Sequence, residues 1–198
     1  MKTKQDPELK KYLARLEGYV GKKDHMSLLK SAPGNFERSV RGMTAAALKL
    51  RPARGKWSIH EQIGHLADVE AAFGWRFRRG IGEPGKPVES FDQDAWADRM
   101  QYRSMPLRGL LAAFRGLREA NLQLLTQAPR RARQEGHTLH PERGKQSVDQ
   151  QARILAGHDV NHLIQVRGIR AKFQKKASGQ RSRSHSTVRP PVRKARKG

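Results

Sequence analysis

Trp57-Ser58-Ile59-His60-Glu61-Gln62-Ile63-Gly64-His65-Leu66-Ala67-Asp68-Val69-Glu70 decides the fold class. Ser58 and Glu61 have the spacing of a capping box, in which each side chain satisfies a free backbone N–H at the start of a helix. Behind this start, Ile59, Ile63, Leu66, Val69, Phe73 and Phe77 recur near one helical face, so the helix is expected to run to about Arg79.

The same periodicity continues outward. Downstream, Met105 to about Gln127 repeats Leu107, Leu110, Leu111, Phe114, Leu117, Leu124 and Leu125 at helical spacing. Ser147 and Gln150 fit a second capping box and open a helix to about Phe173 through Leu155, Leu163, Val166 and Ile169. Upstream, a helical stretch from about His25 to Ala47 should be kinked or broken early at Pro33-Gly34. A short first helix starts at Asp6-Pro7, a cap followed by a first-turn proline. Gly80 to Ser104 and Ala128 to Gln146 read as connections, the first long enough to shape a site or cross a bundle. No segment shows convincing period-two alternation. The expectation is all-α: a four-helix bundle with an extra N-terminal helix.

The last helix places His158 and His162 four residues apart, on the face that carries Leu155 and Ile169. Two imidazoles in an apolar seam destabilise it unless they are hydrogen-bonded or bound to something. Spacing alone leaves both readings open. His65, on the flank of the capped helix's buried stripe, adds a third imidazole from a facing helix. Three protein nitrogens with one open position is the arrangement of catalytic zinc sites rather than structural ones.

Trp57-Ser58-x-x-Glu61-x-x-x-His65-Leu66-x-Asp68-x-Glu70 and, far downstream, His158-x-x-x-His162-Leu163-x-Gln165 resemble the DinB/YfiT-like superfamily. Phe91-Asp92-Gln93-Asp94-x-Trp96 and His140-Pro141-Glu142-x-Gly144 match habits of the same family, and the resemblance spans roughly Met26 to Phe173. It implies a DinB-like four-helix bundle with a three-histidine site for a divalent metal such as zinc or nickel. Carried over residue by residue, the ligands are His65, His158 and His162. It also implies either metal-dependent hydrolysis or transfer that uses a low-molecular-weight thiol, with a small molecule as substrate.

A metal-activated water needs a proton acceptor or groups that orient the ligands. Glu61 and Asp68 flank His65 by about one turn and are the catalytic candidates, although the capping box already explains Glu61. Glu70 reads equally as a surface acid. Asp159 could orient a ligand imidazole. Asn121, on an apolar stripe, either faces the metal cavity as a cofactor-binding residue or bonds a backbone carbonyl. His60 reads as exposed in the cap turn, and His140 as a loop residue that could line the site mouth.

The formal net charge is +23 and the chain has no cysteine, which excludes disulfides, thiolate ligands and a cysteine nucleophile. From Lys175 onward there is no acid and almost nothing apolar, so 175–198 is expected to be a disordered basic tail, following an extension over 1–23 and a metal-binding bundle over 24–174. The tail suits nonspecific nucleic acid. The competing function is therefore a polyanion-binding protein with a structural or vestigial metal site. No apolar run reaches the length of a membrane span and no secretory signal is expected at the N-terminus, so the expected location is the cytoplasm. A homodimer is a further expected assembly.

Overall fold

The computed structural model describes the backbone of residues 6–185 and the side chains of residues 6–174. In chain order the elements are α1 (Pro7–Val20), α2 (His25–Val40), α3 (Ala45–Lys49), α4 (Ile59–Gly82), α5 (Gln93–Arg99), a 3-10 turn (Tyr102–Ser104), α6 (Leu107–Gln127), α7 (Arg130–Glu135), β1 (His137–His140), β2 (Gly144–Ser147) and α8 (Val148–His185). The four long helices α2, α6, α4 and α8 close a ring in which each packs on the next. Both expected capping boxes are present. At α4, Ser58 N–H donates to Glu61 Oε2 at 2.7 Å and Glu61 N–H to Ser58 Oγ at 3.3 Å. At α8, Ser147 N–H donates to Gln150 Oε1 and Gln150 N–H to Ser147 Oγ. No helix among the described residues is long and apolar enough to cross a membrane.

Four details depart from the sequence reading. First, α2 stays helical through Pro33 and ends at Val40, with α3 separate. Proline lacks the N–H that would bond the Leu29 carbonyl four residues back, a defect that usually breaks a helix. Here the buried guanidinium of Arg118 on α6 donates to that carbonyl at 2.8 Å, so the orphaned acceptor is satisfied by a neighbour. Second, the connection before α6 contains α5, capped by Asp92. Third, the connection before α8 holds α7 and an antiparallel hairpin, β1 with β2, pairing His137 with Ser147 and His140 with Gly144. Its strands are too short for an alternation to stand out. Gly144 takes a left-handed conformation at φ 70° that turns the chain. Fourth, α8 continues past the expected end near Phe173 to His185. Residues 186–198 of the basic tail lie outside the described residues.

The core divides into two apolar clusters. One gathers Phe36, Ile59, Ile63, Leu66, Phe114 and Val166; the other Leu29, Phe73, Phe77, Leu125, Val148 and Leu155. Between them, midway along the helices, lies a buried polar layer: His65 and Glu70 on α4, Arg118 and Asn121 on α6, His158, Asp159 and His162 on α8. Helix α1 packs on α8 where Gly157 has no side chain, because a Cβ there would strike the backbone of Leu16.

Candidate metal centre

Helix α4 supplies His65, and α8 supplies His158 and His162 one turn apart. Each of the three offers a ligand nitrogen within 4.8 Å of the others, and all are buried. His65 Nε2 and His158 Nε2 stand 3.1 Å apart. Two nitrogens bound tetrahedrally to one ion at 2.0–2.1 Å are about 3.3 Å apart, so the pair needs only a small adjustment to share a cation. His162 Nδ1 sits 3.1 Å from Gln62 Oε1, an acceptor; Nδ1 therefore carries the hydrogen and Nε2 keeps its lone pair. His158 Nδ1 is buried without a hydrogen-bond partner. Trp57 stacks on His162 with planes 15° apart and covers His65 at 4.8 Å between ring centroids.

Burial holds the His65 and His158 imidazoles well below their ordinary range, with like charge between the rings adding to it, and pushes His162 down to about 4. All three are neutral at pH 7, the state a metal requires. The donor set is nitrogen only and partly oriented, and the three residues fit a divalent cation.

The same burial makes stability depend on pH. The unfolded histidines titrate near about 6.5, so below that value the unfolded chain binds more protons than the folded one. Stability of the metal-free protein is therefore full above about pH 6.5 and falls as pH drops, by about 1.4 kcal/mol per pH unit for each buried histidine until its folded value is reached. Urea unfolding of metal-free protein at pH 7 and pH 5 should show a clearly lower midpoint at pH 5. Equal midpoints would mean that the imidazoles are solvated and free to charge.

A cavity of about 400 Å³ opens in front of His65 and His158. Helix α1 contributes Leu9, Tyr12 and Leu16 to its wall, so the N-terminal helix is part of the site rather than an appendage. Helix α4 adds Phe73 and Arg76, and the hairpin adds His140, Glu142 and Arg143. His140 is buried, and its Nδ1 accepts the backbone N–H groups of Glu142 and Arg143 at 3.2 and 3.3 Å. Desolvation, with Arg143 and Arg76 nearby, pushes it down to about 3, so it is neutral with its hydrogen on Nε2.

The acids and amides read from the sequence go elsewhere. Glu61 completes the α4 cap and pairs with Arg51. Asp68 accepts from the Tyr102 hydroxyl, whose ring lies against α4 because Gly64 has no Cβ. Neither residue lines the histidine cavity. Asn121 donates to the Glu70 carbonyl at 2.9 Å and to Glu70 Oε2 at 3.0 Å, which is the backbone alternative rather than the cavity-facing one, and it does not line the cavity. Glu70 is no surface acid: Arg118 joins it at 2.5 Å and Asp159 at 2.7 Å in a buried triad, so Asp159 is engaged with Arg118. His60, expected to be exposed, is buried with Nε2 2.8 Å from the Met105 carbonyl oxygen. Sequence reasoning missed Arg118, Gln62, Arg76 and Arg143. For Arg118 a signal existed: Phe114, Arg118, Asn121 and Leu125 share one helical stripe, so a charged residue there is buried and needs partners.

The DinB superfamily model matches residues 28–166. A protein of Geobacillus kaustophilus named "Putative metal-dependent hydrolase" is 24% identical over 152 residues, covering 74% of this chain and 83% of its own. A like-named protein of Oceanobacillus iheyensis is 26% identical over 141 residues, covering 71% and 81%. The solved structure of YfiT from Bacillus subtilis, a four-helix bundle, superposes with a TM-score of 0.71 at 18% identity, over 76% of this chain and 86% of that one. Helix α1 lies outside the matched family region, while all three histidines lie inside it, and the chain belongs to the DinB superfamily.

Proposed function

We propose that the chain is a metal-dependent hydrolase of a small molecule, with His65, His158 and His162 holding one divalent cation, zinc or nickel. The observation that carries this reading is the convergence of three buried, neutral imidazoles, two of which, His65 and His158, line a cavity. The names of the relatives point the same way. When bound, such a cation supplies Lewis acidity, which activates water and polarises a carbonyl. The chain's own residues do the rest. Gln62 fixes the tautomer of His162. Trp57 covers two of the rings, and Leu9, Tyr12 and Leu16 of α1 line the cavity. His140, with its hydrogen on Nε2, offers a donor to a substrate oxygen, and Glu142 at the rim offers a proton acceptor.

Mass-spectrometric metal analysis of protein purified without a histidine tag should find one equivalent of a divalent metal. Ester hydrolysis should disappear on chelation and return on reloading. Metal-free protein with unchanged activity would overturn the reading. A low-molecular-weight thiol as co-reactant is the alternative chemistry for the same ion. Since the chain has no cysteine, that sulfur would come from solution, and turnover strictly dependent on added thiol would select transfer over hydrolysis.

A second reading rests on the formal net charge of +23 and its concentration after Lys175. A labelled duplex titrated against the full chain and against a chain ending at Gln174 should show weaker binding and a shallower salt slope for the shorter form. Identical slopes would mean that the basic run is a solubilising end.

A further inference from the structure

One end of the bundle is strongly basic. Leu50 and Pro52, in the connection between α3 and α4, form a groove with Ile169, Lys172 and Phe173 of α8. Lys49 and Arg51 share a neighbouring pocket with Gln101, Tyr102 and Arg103 of the connection before α6. The Met105 carbonyl oxygen meets His60 in the first turn of α4, and Arg170 of α8 donates to the Ser39 carbonyl near the end of α2 at 2.8 Å. These contacts gather the ends of α2, α3 and α8 and the starts of α4 and α6 into one surface. Arg41, Arg54, Lys56, Arg103, Arg108 and Lys172 are exposed on it, and none of them forms an ion pair among the described residues. Of the acids nearby, Glu61 is buried and paired with Arg51, and Glu37 is engaged by Arg115. Asp98 is exposed in the pocket of Lys49 and Arg103, one acid against several cations. Beyond Asp159 the sequence holds no acid, and α8 passes this end at Phe173 and continues to His185. Apolar side chains stand among the cations: Leu50 is 53% exposed, Met100 46% and Met105 38%. Single exposed apolar residues need no explanation, but apolar residues on adjoining loops ringed by cations have the composition of a surface that enters a lipid interface.

We propose that this end of the bundle docks on the surface of an anionic lipid bilayer, with the cations against the headgroup phosphates and Leu50, Met100 and Met105 in the interface. Each cation near such a surface strengthens binding by about fivefold, and buried apolar area adds to it. A nucleic acid would engage the same cations but would leave the apolar side chains in water. Nor does this end present an aromatic face on which a base could stack: Trp57 stacks on His162, Tyr102 is buried, and Phe173 packs against the core. None of the exposed cations or apolar residues of this end lines the histidine cavity, so docking is independent of the chemistry there.

The test is co-sedimentation of the full chain with phosphatidylcholine vesicles, with and without about 30% phosphatidylglycerol, at about 0.1 M and about 0.5 M salt. Binding at the lower salt should be at least about tenfold tighter to the anionic vesicles, and the higher salt should reduce it. Two variants of the full chain separate this surface from the basic run after Lys175. Replacing Arg41, Arg54 and Lys56 together by Gln should weaken vesicle binding by about a hundredfold, the product of three cations. Leu50→Ser combined with Met105→Ser should weaken it by about tenfold and leave binding to a DNA duplex unchanged. All these side chains are exposed, so the helical signal by circular dichroism should match the parent. Equal binding to neutral and anionic vesicles would overturn the proposal. So would parent-like vesicle binding by both variants, which would assign the attraction to the basic run alone. Equal loss of vesicle and duplex binding in the Leu50 and Met105 variant would also sink it, since the apolar side chains would then have no separate role at a lipid interface.

Discussion

Arg118→Met should destabilise the protein by about 3–5 kcal/mol, the cost of removing one partner from a buried ion-pair cluster. The Arg118 side chain is 1% exposed, between Glu70 at 0% and Asp159 at 4%. It also holds the Leu29 carbonyl that Pro33 leaves without its helical donor. Methionine fills most of the volume but leaves two carboxylates and one carbonyl buried without it. Burial pushes the Asp159 carboxyl up to about 6 even with Arg118 opposite; without the cation its value rises further. A carboxyl whose folded value is raised binds more protons folded than unfolded, so its contribution to stability grows as pH falls. The deficit of Arg118→Met relative to the parent should therefore be smaller at pH 5 than at pH 8. Comparing the two proteins at each pH cancels the opposite trend from the histidines, which both share. Urea denaturation at the two pH values measures this. A deficit below about 1 kcal/mol at pH 8 would show that the triad is solvated rather than buried.

Replacing His162 by Ala should lower metal affinity more than about a hundredfold while leaving the helical signal intact. Groups that merely orient a ligand are worth roughly 10–100-fold, and a direct ligand is worth more. Gln62→Leu, which removes only the partner of His162 Nδ1, should fall within that smaller range. The fold should survive both changes, because the two apolar clusters on either side of the polar layer are independent of any metal. Metal content after gel filtration and circular dichroism at room temperature give the two readouts. If His162→Ala keeps its full metal, the ion has another set of ligands. If it is unfolded, the metal serves stability, and hydrolysis loses its support.

Much of this molecule is decided by local chemistry and is legible along the chain. Capping boxes at Ser58 and Ser147 and the apolar repeats behind them place α4 and α8, because helix starts and amphipathic faces depend on neighbours within a few residues. The i, i+4 spacing of His158 and His162 puts them on one face for the same reason. What the tertiary structure decided concerns partners distant in sequence. Pro33 remains inside α2 because Arg118, 85 residues later, supplies the missing donor. Glu61 and Asp68 lie within a turn of His65, yet Arg51 and Tyr102 engage them away from the cavity. The hairpin that brings His140 and Arg143 to the wall, and the α1 helix that lines it, carry no local sign of where they dock. Their positions follow from close packing, such as that of Leu16 on Gly157, and that contact exists only once the bundle has formed.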